Sequence, residues 1–171
     1  MAGGSGSAGP HNGTGYLYRY IVETEGGLGV DRRAFALLVE SVLSSPKGWG
    51  GDGTRAFQRV STGPVSFRVT LASPGTTDRL CAPLVTNGIY SCHQGERAVL
   101  NSWRWTNGAD SFGTDLDGYR RYMINHEVGH ALGKGHLYCT SAGAPAPIMM
   151  QQTKGVGGCT PNPWPLPYER G

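Results

Sequence analysis

The eleven residues HEVGHALGKGH at 126–136 constrain this chain more than any other stretch. Three of its five histidines fall inside them. On a helix, His126 and His130 are one turn apart, so both imidazoles project from one face and can share a metal ion. Glu127 sits at the edge of that face, where it can reach a metal-activated water without taking a ligand position. Gly133 can adopt the left-handed conformation that stops a helix and turns the chain sharply. The turn returns His136 as a third ligand, which a continued helix would not permit. Three neutral nitrogens leave the fourth position of a tetrahedral zinc open, as a catalytic site requires. At this chain's own His, Glu and Gly frequencies, the five fixed positions would coincide by accident about once in several tens of thousands of such sequences.

The rest of the chain supplies elements to carry that helix. YLYRYIVET at 16–24 is aromatic and β-branched and predicts a strand. Asp31 is an N-cap candidate for a helix reaching about Ser44, with Phe35, Leu38, Val39 and Val42 at helical spacing. AFQRV at 56–60 and VSFRVTLAS at 65–73 read as strands, as does RAVLNSWRW at 97–105, where alternation would put Trp103 and Trp105 on one face. The long helix spans about 116–132, capped by Thr114 or Asp115. Beyond Gly133 no periodic element is evident, and the closing PNPWPLPYERG reads as extended, pinned by Trp164. An α+β domain over 16–171 follows, with an upper part to about 133 and an irregular lower part from 134. Residues 1–15, Gly- and Ser-rich with no apolar run, read as a flexible linker or an expression-derived segment in place of a removed leader, and His11 falls within it.

Composition narrows the partners. At 171 residues the chain is long enough for one substantial core. Its net charge of +3 is scattered, with Arg32–Arg33 and Arg120–Arg121 as isolated pairs, so a nucleic-acid footprint is not expected. The longest apolar run, AFALLV at 34–39, is far short of the roughly 18 residues of a membrane span. Cys81, Cys92, Cys139 and Cys159 form no CxxC pair; of three possible pairings, Cys81–Cys92 and Cys139–Cys159 are favoured because each closes a Gly/Pro-rich segment. Such bridges point to an oxidising compartment, hence a secreted or cell-surface protein; a monomer is expected. Asp110, Asp115 and Asp117 offer oxygen ligands for calcium, but without EF-hand spacing, and helix capping accounts for them as well. His93 could approach the metal, but surface exposure is the favoured reading.

HExxHxxGxxH, followed by Ala146-Pro147-Ile148-Met149-Met150, resembles the metzincin clan of zinc metallopeptidases. The resemblance implies a twisted mixed β-sheet with a backing helix and an active-site helix, then a small irregular subdomain. It implies His126, His130 and His136 as ligands of one catalytic Zn²⁺, Glu127 as general base, and Met149 (alternatively Met150) in a turn beneath the metal. It also implies an extended peptide substrate on an edge strand, which by position would be Ala98, Val99, Leu100, Asn101, Ser102 and Trp103. Several metzincins carry a tyrosine two residues after the turn methionine; here Gln151 or Gln152 stands there. The stretches LCAPL, NSWRW, NHEVGHALGKGH, APIMMQQT and GCTPNPWP, between Leu80 and Pro165, are also similar to a domain of secreted actinobacterial proteins with no assigned substrate. The expected activity is zinc-dependent endopeptidase. Its rivals are a metal hydrolase of a non-protein amide and a zinc-containing module that binds peptide without cutting it.

Overall fold

The computed structural model describes residues 1–3 and 15–171. Residues 4–14, most of the expected linker with His11, lie outside the described residues. Five strands form a mostly parallel sheet: β2 (Tyr16–Thr24), β3 (Arg55–Arg59), β4 (Phe67–Ala72), β5 (Cys92–Gln94) and β6 (Arg97–Asn101). A two-residue strand, β1 (Ala2–Gly3), pairs antiparallel with the end of β2. β2 lies parallel to β3 along its first half and to β4 along its second. β4 pairs in parallel with β6, and β5 closes the order as an antiparallel neighbour of β6.

Alternation along the strands divides the burial between two faces. Tyr20 and Val22 of β2, Phe67, Val69 and Leu71 of β4, and Ala98 and Leu100 of β6 enter the main core. Against that face pack helices α1 (Arg32–Leu43) and α4 (Leu116–Ala131). α1 begins where the sequence predicts: the Asp31 carboxylate accepts from Arg33 N–H and Ala34 N–H at 2.8 and 2.9 Å, satisfying two donors that a helix start leaves open. Phe35, Val39, Val42 and Leu43 are its buried stripe.

The opposite face is covered differently. Val99, Ala72, Cys81 and Cys92 make a small second cluster beneath α2 (Pro74–Cys81), a helix the sequence pattern does not announce. Ser73 caps it and Pro74 opens it, the usual residues for those positions. Farther along that face, buried Glu23 accepts from Arg68 at 2.6 Å and from Thr70 at 3.1 Å.

Two expectations are corrected. The strand anticipated over 97–105 stops at Asn101, whose side chain accepts from Trp103 N–H at 2.9 Å and caps helix α3 (Ser102–Asn107). A polar residue at a fully buried strand end turns the chain, so Trp105 is buried against Phe35 while Trp103 is exposed. The C-terminus is not simply extended, since Pro167–Arg170 forms a short helix, α5. Both bridges favoured from the sequence are present, Cys81–Cys92 and Cys139–Cys159. Among the described residues, no helix is long and apolar enough to cross a membrane.

Candidate metal centre

α4 carries the centre. Asp115 caps it by accepting from Gly118 N–H at 2.8 Å, and its last two turns hold His126, Glu127 and His130. At its end Gly133 has φ +83°, with Gly133 N–H donating to His130 C=O and Lys134 N–H to Gly129 C=O, at 2.9 and 3.0 Å. That pair of bonds is the Schellman arrangement, which satisfies the last carbonyls while reversing the chain. His136 is thereby carried back over the helix end.

The three imidazoles converge. One ring nitrogen from each of His126, His130 and His136 can be chosen so that all lie within 4.8 Å of one another. Nδ1 of His126 meets Ile148 C=O and Nδ1 of His130 meets Lys134 C=O, both at 2.8 Å. A carbonyl only accepts, so each Nδ1 carries the proton and each Nε2 is left as a bare donor atom for a metal. Nε2 of His130 and of His136 face each other at 3.0 Å. Burial lowers all three imidazole pKa values, that of His126 to about 3. The rings are therefore neutral, as metal ligation requires.

Glu127 completes the group. Its carboxyl is buried, its Oε2 has no hydrogen-bond partner among the described residues, and burial raises its pKa to about 8. An unpartnered buried carboxyl oxygen is costly unless a cation or a reacting water engages it. Three neutral nitrogens with an orphaned carboxyl beside them fit a bound metal ion. The aspartates at 110, 115 and 117 gather no such group among the described residues: Asp115 is a helix cap, and Asp117 lies 3.8 Å from Arg120.

The segment 147–150 holds the ligands from below. Ile148 C=O fixes His126, and Met149 C=O accepts from Leu137 N–H at 3.0 Å, tethering the residue after His136. Tyr122, one turn before His126 on α4, donates its hydroxyl to Met150 C=O and accepts from Gln152 N–H. The Glu169 carboxylate accepts from Ile148 N–H and Met149 N–H, both at 2.9 Å, and from Leu166 N–H at 2.8 Å. Met149 is buried; a Cβ on Gly129 would stand 2.3 Å from its sulfur and 2.7 Å from Trp49. Met150 is only partly buried. Gln152 is fully buried and bonded to Pro147 C=O and Asn162 C=O, whereas Gln151 is exposed and faces the cleft.

A cleft of about 540 Å³ opens over the histidines. One wall is the loop closed by Cys81–Cys92, with Leu84, Val85 and Tyr90, followed by His93 of β5. His93 is thus half-buried in the cleft, not at the outer surface, and its pKa is lowered by burial and by His130. The substrate-strand expectation is also corrected. Ala98, Val99, Leu100 and Asn101 are interior, paired to β4 on one side, and Ala98 and Val99 also to β5 on the other; Ser102 and Trp103 are helical. The strand at the sheet's end, next to the cleft, is β5. Three residues with no apolar run give it little signature, and the apolar run Ala98-Val99-Leu100 of β6 draws attention instead.

Trp49, Glu169, Tyr122, Tyr90 and Lys154 enter the site without being foreseen. Only Tyr122, four residues before His126 on the same helix, had a positional signal.

None of the curated proteins matches this sequence. A family described as "protein of unknown function (DUF3152)" matches residues 4–159, nearly the whole chain and all of the histidine motif. The chain belongs to that family.

Proposed function

We propose that this protein is a secreted zinc-dependent endopeptidase of metzincin type, cutting peptides in the cleft above His126, His130 and His136. The observation that carries the reading is the pairing of three neutral, converging imidazoles with the buried, unpartnered carboxyl of Glu127. A purely structural site has no use for a base beside its ligands. When bound, zinc supplies Lewis acidity, acidifying water and polarising a carbonyl.

The chain's own groups do the rest. Glu127 takes the proton of the attacking water and returns it to the leaving amine, a role open to it because its buried Oε2 has no other hydrogen-bond partner among the described residues. The carbonyls of Ile148 and Lys134 keep His126 and His130 in the tautomer that presents Nε2. β5 offers an antiparallel edge along which an extended peptide can lie, with His93 beside it. Neither Gln151 nor Gln152 supplies a phenol, so no tyrosine assists from that position. Met149, packed under Gly129, is the turn methionine of this reading.

The test is hydrolysis of a denatured generic protein by the zinc-loaded enzyme, with and without chelator, beside Glu127→Gln. Cutting should vanish with chelator and fall by about 10²–10⁴-fold in the variant, while zinc content stays unchanged. Undiminished cutting by Glu127→Gln would remove the carboxyl from the mechanism. No cutting by the zinc-loaded parent would favour the peptide-binding module, and hydrolysis confined to small amides would favour the rival hydrolase.

A further inference from the structure

The charges lining the cleft are one-sided. Lys134 and Lys154 contribute ammonium groups, and Glu127, buried, is the sole acid lining it among the described residues. Lys134 is engaged, its Nζ donating to Gly171 C=O. Lys154 is exposed and pairs with no carboxylate among the described residues. Its Nζ lies 5.0 Å from the centroid of the Tyr90 ring.

That contact joins the two sides of the cleft, because Tyr90 belongs to the disulfide-closed loop and Lys154 to the turn following Met149. An aromatic face holds an ammonium by its quadrupole and occupies one side of it, leaving N–H donors free for an anion. Apolar surface flanks the charge. Leu84 and Val85 are 50% and 78% exposed on the cleft wall. On the other side of Lys154 a second cavity of about 260 Å³ is lined by Leu137, Tyr138 and Met150. Lys154 and His136 border both cavities.

We propose that Lys154 is a specificity-determining residue that takes a carboxylate of the bound peptide, while a neighbouring apolar side chain rests on Leu84 and Val85. The substrates are then peptides presenting a negative charge beside an apolar residue. The inference deepens the peptidase reading and depends on it for turnover, though not for binding. An ion pair at an open surface adds little, but one covered by bound peptide between apolar walls is screened less and gains from charge-assisted hydrogen bonding.

The test uses fluorescein-labelled, C-terminally amidated decapeptides with a central Leu and Glu at each adjoining position in turn, beside the same set with Gln. Both sets are titrated by anisotropy against the zinc-loaded Glu127→Gln protein. The best Glu peptide should bind roughly five- to twentyfold more tightly than its Gln counterpart, with the difference shrinking as salt is added. Lys154→Arg should retain the preference, Lys154→Gln should reduce it below about twofold, and Lys154→Glu should turn it towards peptides carrying Lys. Gln peptides with a free C-terminus show whether the captured carboxylate is a side chain or a chain end: a gain there that is lost in Lys154→Gln assigns it to the chain end. Equal binding of the Glu and Gln sets with no such gain, a preference that survives Lys154→Gln, or binding of no peptide would overturn the proposal. A preference without any cleavage by the parent protein would instead sink the peptidase and leave the carboxylate site standing. Cleavage with no preference would do the reverse.

Discussion

Gly129, Gly133 and Gly135 stand within seven residues of one another, and each answers to a different force. At Gly135 an added methyl meets nothing within 4 Å. At Gly133 there is equal space, but φ of +83° places any other residue in the left-handed region, at roughly 1–2 kcal/mol. At Gly129 the backbone is ordinary helix and the obstacle is packing. Trp49 is fully buried and donates its indole N–H to Asn125 C=O at 2.9 Å, so it cannot yield, and the Met149 sulfur is closer still. Gly129→Ala is therefore expected to cost about 1–3 kcal/mol through overpacking and to weaken zinc binding, because Met149 must move and its C=O tethers Leu137, the residue after His136. Gly135→Ala should be close to neutral. Urea unfolding of these two variants and of Gly133→Ala checks the order; a neutral Gly129→Ala would mean that the Trp49–Met149 contact is not tight.

At the scale of elements, α4 and the 147–150 turn form one unit, joined by Ile148 C=O to His126, Met150 C=O to Tyr122, and Met149 C=O to the residue after His136. The unit is secured from outside by Glu169 on α5. Removing its carboxylate in Glu169→Ala leaves the N–H groups of Ile148, Met149 and Leu166 without that acceptor, at about 1–3 kcal/mol for each one that finds no other. The expected result is a loss of roughly 3 kcal/mol or more in chemical unfolding, with weaker zinc affinity in a competition titration. Glu169→Gln should be milder, since its amide oxygen still accepts at least one of these bonds. How far such elements can be read from the sequence depends on whether their determinants are local. The spacing of His126, His130, Gly133 and His136 makes the helix, its stop and the convergence of the rings legible, because helix period and left-handed glycine are local properties. β2, α1 and α4 are legible for the same reason. Glu169, Trp49 and Lys154 lie at least 18 residues from the histidines they serve, in segments without periodicity, and only the folded chain brings them together. β5 and β6 show the limit within a strand: which of two paired runs lies at the edge is a property of the sheet, not of either run.

Across the whole molecule, the site's buried ionisable groups pull its stability in opposite directions with pH. Stability rises with pH wherever the unfolded chain binds more protons than the folded one. His126, at an ordinary 6.5 when unfolded and about 3 when folded, is such a group. As pH falls from about 6.5 towards 3, the unfolded chain takes a proton that the folded protein refuses, so this contribution is lost on acidification. His130 and His136 are shifted the same way by burial and steepen that limb. Glu127 has the opposite sign, because its pKa rises from 4.5 to about 8 on folding. Between those values the folded protein holds a proton that the unfolded chain releases, and stability falls as pH rises. These imidazoles, with His93 of the cleft lowered in the same way, thus set the acid limb and one carboxyl the alkaline limb, so the metal-stripped protein loses stability on both sides of an optimum. A divalent cation at the histidines binds their neutral form and favours ionised Glu127, so it competes with protons at every one of these groups. Added zinc should then raise the melting temperature little below about pH 5 and most above about pH 7, moving the optimum upward. Thermal unfolding of chelator-treated and zinc-loaded protein across this range checks the shift. In the metal-stripped protein, Glu127→Gln should lose the alkaline limb between about pH 5 and 8 while keeping the acid one, since glutamine has no proton to hold. If that limb persists in the variant, the strain of burying a carboxylate lies elsewhere and Glu127 is not the group held protonated. If zinc leaves the melting temperature unchanged at every pH, the three imidazoles do not form a metal site at all.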